Sequence, residues 1–161
     1  MATLSTLVQE SRLFRVTIKL KPGQFDDRLL YAFPECLEWM RTEVPKMKTG
    51  VIKSDFTPRD QLGVRLTEWI TGKQMVETRM FRHMKPLTDD VIELKTDDLR
   101  IFGWLYQAGK FIAVRGGYTD DYKGQNKKKN YEDEVKAVVE ARDALPLDGE
   151  KIWRGDFNDI C

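Results

Sequence analysis

The chain has 161 residues, 41% of them hydrophobic and 33% charged, with 27 lysines and arginines against 26 acidic residues and a net charge of +1. That length fits one compact domain whose core needs no disulfide or metal staple. The balanced charge excludes a globally basic nucleic-acid binder, so any attraction for phosphate has to come from local clustering. Two cysteines without a CxxC spacing, Cys36 and Cys161, and a single histidine, His83, argue against a zinc site built from these residues. Cys36 falls in an apolar helical pattern as a core filler and Cys161 reads as a free thiol, both compatible with a reducing cytoplasm. No stretch of 18 apolar residues predicts a membrane span, and the first residues lack the pattern of a secretion signal, so the expected compartment is the cytoplasm.

Residues 1–12 read as a short arm. From Leu13 to Leu20 the pattern alternates, with Phe14, Val16, Ile18 and Leu20 on one side, which predicts a strand with one covered face. Lys21-Pro22-Gly23 ends it. Leu30, Phe33, Leu37, Met40 and Val44 then recur at helical spacing. Pro34 either kinks one helix or opens a new one in its first turn, and the second reading is preferred. Residues 46–56 read as loop, with a short extended piece at Val51-Ile52. Thr57-Pro58-Arg59-Asp60 marks a helix start: a capping hydroxyl, a proline suited to the first helical position, and a carboxylate at the positive end of the dipole. Leu62, Leu66, Trp69 and Ile70 line one face of that helix, and Gly72 stops it.

Met75 to His83 fits a short helix or a strand equally. Three strands follow at Val91–Lys95, Leu99–Tyr106 and Lys110–Tyr118, the last two joined by a turn at Gln107–Lys110. Gly116-Gly117 predicts a bulge or a close approach by another group. Thr119 to Asn130 is a polar loop. Asn130 can cap a final helix striped by Val135, Val138 and Val139, which Pro146 ends. The acidic stretch 146–161 is a tail. The expected fold is a single α+β domain of residues 1–161. Its antiparallel sheet has about four strands, with helices packed on one face, in the order β-α-α-β-β-β-α.

Lys95, Arg100 and Arg115 occupy strand positions that usually carry apolar or small polar groups. Cations on a sheet face suit an anionic partner, RNA being the obvious one, or form an ordinary solvated face. Arg100 either anchors a phosphate or pairs with Asp97, Asp98 or Glu93. Lys127, Lys128 and Lys129, with Lys123, form a solvated loop or an arm that touches RNA backbone. Tyr118, Tyr122 and Tyr131 either stack on a base or pack in the sheet. Trp39, Trp69 and Trp153 read as core or helix-docking anchors. His83, the residue type that titrates near neutrality, lies ahead of the main sheet.

Over residues 13–145 the chain resembles the RelE/ParE toxin superfamily, within it the HigB and phage Gp49-like branch. Pro86-Leu87 is similar to the Pro-Leu ahead of that family's second strand. Ile92-Glu93-Leu94-Lys95 is similar to its Glu-Leu-Arg, Leu99-Arg100-Ile101-Phe102 to its Tyr-Arg-Val strand, and Phe111 to Tyr118 to its Leu-His-Gly-Phe strand. Val135 to Arg142 resembles its last helix. The resemblance implies a toxin of a type II toxin-antitoxin system, a metal-independent and cofactor-free mRNA endoribonuclease acting on the ribosome. Its partners would be mRNA, the ribosome and a cognate antitoxin protein. Arg100, Arg115 and Tyr118 would be the catalytic residues, and Lys95, Lys123 and Lys127–Lys129 would bind RNA. The alternative is a non-catalytic member that binds a host protein such as gyrase. Thr119-Asp120-Asp121 stands where the family carries a basic pair, and carboxylates there would repel RNA.

Overall fold

The computed structural model describes residues 2–50, 54–123 and 127–160. The extended piece expected at Val51-Ile52 and the free thiol expected at Cys161 lie outside them.

The protein is α+β. Its elements run α1 (Leu4–Gln9), β1 (Phe14–Val16), β2 (Leu29–Ala32), α2 (Pro34–Glu38), α3 (Pro58–Ile70), β3 (Phe81–His83), β4 (Ile92–Lys95), β5 (Leu99–Gln107), β6 (Lys110–Tyr118) and α4 (Tyr131–Ala144). A π-helical turn and a 3-10 turn extend α2 as far as Lys46. Among the described residues the sheet has six strands in the order β1-β2-β6-β5-β4-β3. All neighbours are antiparallel except β2 and β6, which run parallel with Leu30 opposite Phe111. The sheet is therefore mixed, and the four-stranded antiparallel expectation is corrected by two strands and one parallel pairing. β2 escaped because Leu29–Ala32 is a four-residue apolar run, and periodicity cannot separate such a run from the helix that follows. The helix does begin at Pro34, as preferred, with Phe33 as its N-cap.

Helices cover both faces, not one. On the first face Cys36, Leu37, Met40 and Val44 from α2 and Leu62, Leu66, Trp69 and Ile70 from α3 pack on Leu30, Leu94, Leu99, Ile101 and Phe111. On the second face Leu4 and Leu7 of α1 and Val135 and Val138 of α4 pack on Phe102, Trp104, Ile112 and Val114. The expected N-terminal arm is thus a helix, capped by Thr3, whose hydroxyl accepts from the Thr6 N–H. Cys36 is buried, and burial pushes its thiol up to about 12, as befits an inert filler.

The C-terminal segment belongs to the core. Phe157, 2% exposed, stacks on Trp69 at 4.6 Å and lies 4.2 Å from Phe81. Asn158 binds both backbone groups of Met75, accepting from its N–H at 2.6 Å and donating to its carbonyl at 3.0 Å. The buried guanidinium of Arg28 donates to the carbonyls of Trp69, Lys73 and Asn158, tying the end of α3 to this segment. The Trp69 carbonyl lies in the last turn of α3, where helix carbonyls lack partners within the helix. The segment reaches this position past the C-terminal end of β5, where the Trp153 N–H donates to the Leu105 carbonyl. Lys95 and Arg100 sit at the other end of that strand pair. Of the three expected tryptophan anchors, Trp69 is buried, Trp39 packs against the core edge and Trp153 is exposed.

One irregularity positions the site. Between Phe102 and Gly103 the β5–β6 register slips, with Phe102 opposite Arg115 and Gly103 opposite Ala113, so Val114 is an extra residue. A bulge of this kind reverses the alternation beyond it. Arg115 and Gly117 thereby join the second face, and Gly116 and Tyr118 the first. The glycine pair is not the bulge. It gives room to neighbours, since a Cβ at Gly116 would meet the Trp39 ring at 2.2 Å and one at Gly117 the Tyr122 hydroxyl at 2.1 Å.

Candidate functional site

Three adjacent strands bring charges together at one end of the second face. Arg82 on β3 lies opposite Glu93 on β4, and Lys95 on β4 lies opposite Arg100 on β5. Glu93 is fully buried and holds two guanidinium groups: its Oε2 accepts from Arg82 Nη2 at 3.0 Å, and its Oε1 lies 3.1 Å from Arg100 Nε. Arg100 is itself 5% exposed, and its Nη1 also donates to the carbonyls of Thr96 and Leu99. Of the alternatives open for Arg100, pairing with Glu93 is therefore realised. Burying this pair costs desolvation that the contact must offset.

Lys95 completes the cluster. Its ammonium donates to the Thr78 carbonyl at 2.6 Å. Partial burial lowers its pKa, and repulsion from Arg100, Arg82 and Lys123 lowers it further against the pull of Glu93. Arg82 and Arg100 thus share one carboxylate, while Lys95 and Lys123 add two further cations beside them. Excess positive charge at a partly desolvated site favours an anion.

Alongside lies an aromatic stack. Tyr122 and Tyr131 are parallel, 4.9 Å apart, both edge-on to Phe102, and the Arg82 guanidinium caps Tyr131 at 5.1 Å. Arg115, with 47% of its side chain exposed, reaches 3.1 Å from Oε2 of Glu134 on α4. Burial raises the Glu134 carboxyl above its ordinary range, although Arg115 and Lys129 draw it down. Burial likewise raises the Tyr122 phenol, helped by Glu134. The backbone N–H groups of Lys128 and Lys129 both donate to the Asp121 carbonyl, which fixes the lysine run beside the start of α4. Glu132, Asp133 and Glu134 fill the first turn of α4, so the anion-attracting end of that helix is already taken by its own carboxylates.

The polar bookkeeping singles out this region. Among the described residues, six buried side-chain polar atoms lack a hydrogen-bond partner. Five belong to Arg82, Glu93, Arg100, Tyr122 and Glu134, all at this end of the second face. Three of these atoms, Glu93 Oε1, Arg100 Nε and Glu134 Oε2, are held instead in the ion pairs at 3.1 Å, which leaves Arg82 Nε and the Tyr122 hydroxyl as the exceptions to the usual pairing of buried polar groups.

Tyr118 lies elsewhere. It is opposite Leu99 on the first face, where its hydroxyl donates to the Lys48 carbonyl at 2.9 Å. Burial raises its phenol, and the charges of Asp98, Asp120 and Asp121 raise it further, the reverse of what a base requires. A Cβ on Gly50 would touch Asp98 Oδ1, Asp120 Oδ2 and the Tyr118 hydroxyl within 2.9 Å, which shows how closely these three oxygens gather. The sheet thus separates Tyr118, with Asp98 and Asp120, from the cations. Lys95, Arg100 and Lys123 come together, Arg115 and Lys129 lie on the flank around Glu134, and Lys127 and Lys128 are exposed nearby. His83 is exposed on β3, packed edge-on to Phe81 of the first face. Arg82 and Glu134 were not singled out from the sequence. Arg82 sits in the stretch where helix and strand were equally open, and Glu134 in an ordinary helical polar position. Their signal is the burial of opposite charges on different elements, which only the fold reveals.

Among the described residues no helix is long and apolar enough to cross a membrane. None of their His, Cys, Asp and Glu side chains gather in a group of three that could hold a metal ion. No protein-family model, no curated protein and no solved structure matches this chain.

Proposed function

We propose that the protein binds single-stranded RNA through its phosphate backbone at the Arg82–Lys95–Arg100–Lys123 cluster and acts as a toxin-like protein on mRNA. One observation carries this reading: three cations on three adjacent strands, with Lys123 from the turn after β6 beside them, surround a single buried carboxylate that pairs with only two of them. Phosphate contacts supply most sequence-independent affinity. The placement of Asp120 beside Tyr118 on the other face lessens the repulsion expected from the Thr119-Asp120-Asp121 stretch, in which Asp121 still acts on Tyr122. In the catalytic form of this reading, a ribosome-dependent endoribonuclease held in check by an antitoxin, Arg100 and Arg115 position the scissile phosphate, with Lys127–Lys129 along the strand. Proton transfer by Tyr118 would have to come from the opposite face.

A second reading has its own support. Arg100 and Arg115 each already carry a buried carboxylate, Glu93 and Glu134, which suits a non-catalytic protein that binds a host protein such as gyrase.

The test is controlled expression in a bacterial host with mRNA 5′ ends mapped, beside RNA-binding assays on the purified protein. The variant is Lys95→Ala with Lys123→Ala, which spares the buried pair. RNA binding with a salt slope that drops by about 0.7 per lost contact supports the phosphate reading. New 5′ ends that vanish in the variant support the nuclease. Growth arrest with no RNA affinity and no new ends overturns both in favour of a protein target.

A further inference from the structure

The second face carries a groove that the phosphate cluster does not use. It is lined by Phe33 and Pro34 at the start of α2, Glu35 in its first turn, Val114 and Arg115 of the β6 bulge, and Ala137 and Ala141 of α4, and it encloses about 360 Å³. That is within the size of small-ligand sites, which run from roughly 300 to 1,000 Å³. Its walls are apolar, with one aromatic ring held in place: Phe33 packs on Trp104 at 6.4 Å. The two alanines, four residues apart on one face of α4, keep the groove open. Its polar groups are a single carboxylate, Glu35, and a single guanidinium, Arg115.

The groove adjoins the cluster across the strand ladder. Arg115 lines the groove and lies opposite Phe102, which neighbours Arg100 and Glu93 in the ladder. From β4 to β6 is two strand spacings, about 10 Å. An RNA strand with its phosphate on the cluster can place a neighbouring base here.

We propose that this groove takes one unpaired base of the bound RNA and selects guanine, an inference that rests on the RNA reading above. The argument is one of donors and acceptors. A carboxylate offers only acceptors, so its two oxygens suit an edge with two adjacent N–H groups. Guanine presents that edge through N1–H and its 2-amino group. Adenine and cytosine offer one amino group beside an acceptor nitrogen, and uracil one N–H between two carbonyls. Arg115 supplies donors of the kind that pair with guanine O6 and N7. The ring of Phe33 and the side chain of Val114 give the base an apolar, partly aromatic wall.

The experiment compares binding of an eight-nucleotide oligouridylate with the same oligomer carrying one central guanosine, by fluorescence anisotropy, for the wild type, Glu35→Gln and Ala141→Leu. Melting curves establish that each variant is folded. The wild type should bind the guanosine oligomer about tenfold more tightly, in line with one good bidentate pair. Glu35→Gln and Ala141→Leu should each abolish that preference and leave oligouridylate affinity unchanged. Equal wild-type affinity for the two oligomers overturns the guanine site while leaving the RNA reading intact. So does a preference that survives both substitutions. Failure of the wild type to bind either oligomer overturns the RNA reading itself, and this inference with it.

Discussion

Each face of the sheet buries a polar network, and the two are finished differently. Under the first face, at the β4–β5 turn, Gln61 of α3 is paired at both ends of its amide. Its Nε2 donates to Asp98 at 2.7 Å and to the Phe56 carbonyl at 3.0 Å, and its Oε1 accepts from the Thr96 hydroxyl and the Asp98 N–H. Asp98 also takes the Gly50 N–H at 2.9 Å, and Thr96 takes the N–H of Leu99. On the second face Arg82 and Arg100 are held on Glu93, and Arg115 on Glu134, by ion pairs; Arg82 Nε and the Tyr122 hydroxyl keep no hydrogen bond, and Lys95 and Lys123 leave positive charge over. A closed network specifies one arrangement of helix on sheet, whereas an open one with surplus charge has capacity for a further group. The difference separates what holds the fold from what is free to bind.

Four experiments would break or sharpen that contrast. The largest effect is expected from Glu93→Ala, which leaves two guanidinium groups facing each other without a counter-charge. Unfolding by urea should show a loss of about 4 kcal/mol. Asp98→Ala should cost about 3 kcal/mol in the same assay, because the Gln61 amide and the Gly50 N–H lose their acceptor. A loss within 0.5 kcal/mol, roughly the scatter of an ordinary surface change, would remove the first-face network from the account. Third, inorganic polyphosphate should raise the melting temperature of the wild type and of Asp98→Ala equally, but not that of the Lys95→Ala, Lys123→Ala double variant. A ligand at a hundred times its Kd adds about 2.7 kcal/mol. An equal shift in the double variant would place the anion elsewhere.

The smallest effect concerns Glu134. Its carboxyl is raised above the ordinary 4.5 by burial. The native state therefore holds a proton that the unfolded chain has released, and stability declines as pH rises from about 4.5 through the raised value. Urea titrations across that interval should show this decline in the wild type and a flatter profile in Glu134→Gln. An identical slope in both would mean that Glu134 contributes nothing to it.

What could be read from residues alone followed from whether the signal was local. α3 carried its own punctuation, and Thr57 does cap it by accepting from the Asp60 N–H, with Pro58 in the first turn. β5 and β6, nine residues each, announced themselves by length and composition. Asn130 likewise caps α4 through the Asp133 N–H at 2.8 Å. β2 was hidden because its parallel partner, β6, lies far along the chain and its own four residues suit either class of element. At the site, the strand cations were visible as unusual residues, but their side of the sheet was not. The extra residue Val114 moves Arg115 onto the face of Arg100 and leaves Tyr118 on the other, and nothing in the local composition marks a bulge. Glu93 was among the partners open to Arg100, but Glu134 escaped for a related reason: a glutamate reads as a surface residue until the fold shows what is packed above it.

The aromatic contacts of Phe157 also set an order of events during synthesis. Domains tend to fold as units while the chain emerges from the ribosome. Here Trp69, Phe81 and Phe111 come from α3, β3 and β6, yet the ring that closes over all three is added long after them. Arg28 similarly waits for the carbonyl of Asn158. Until those residues are translated the first-face core is open to water, and the sheet that carries the cation cluster lacks part of its support. Completion of the first-face core is thereby coupled to the emergence of Phe157 and Asn158, so a nascent chain stalled before Phe157 would lack a finished version of the surface proposed to bind RNA.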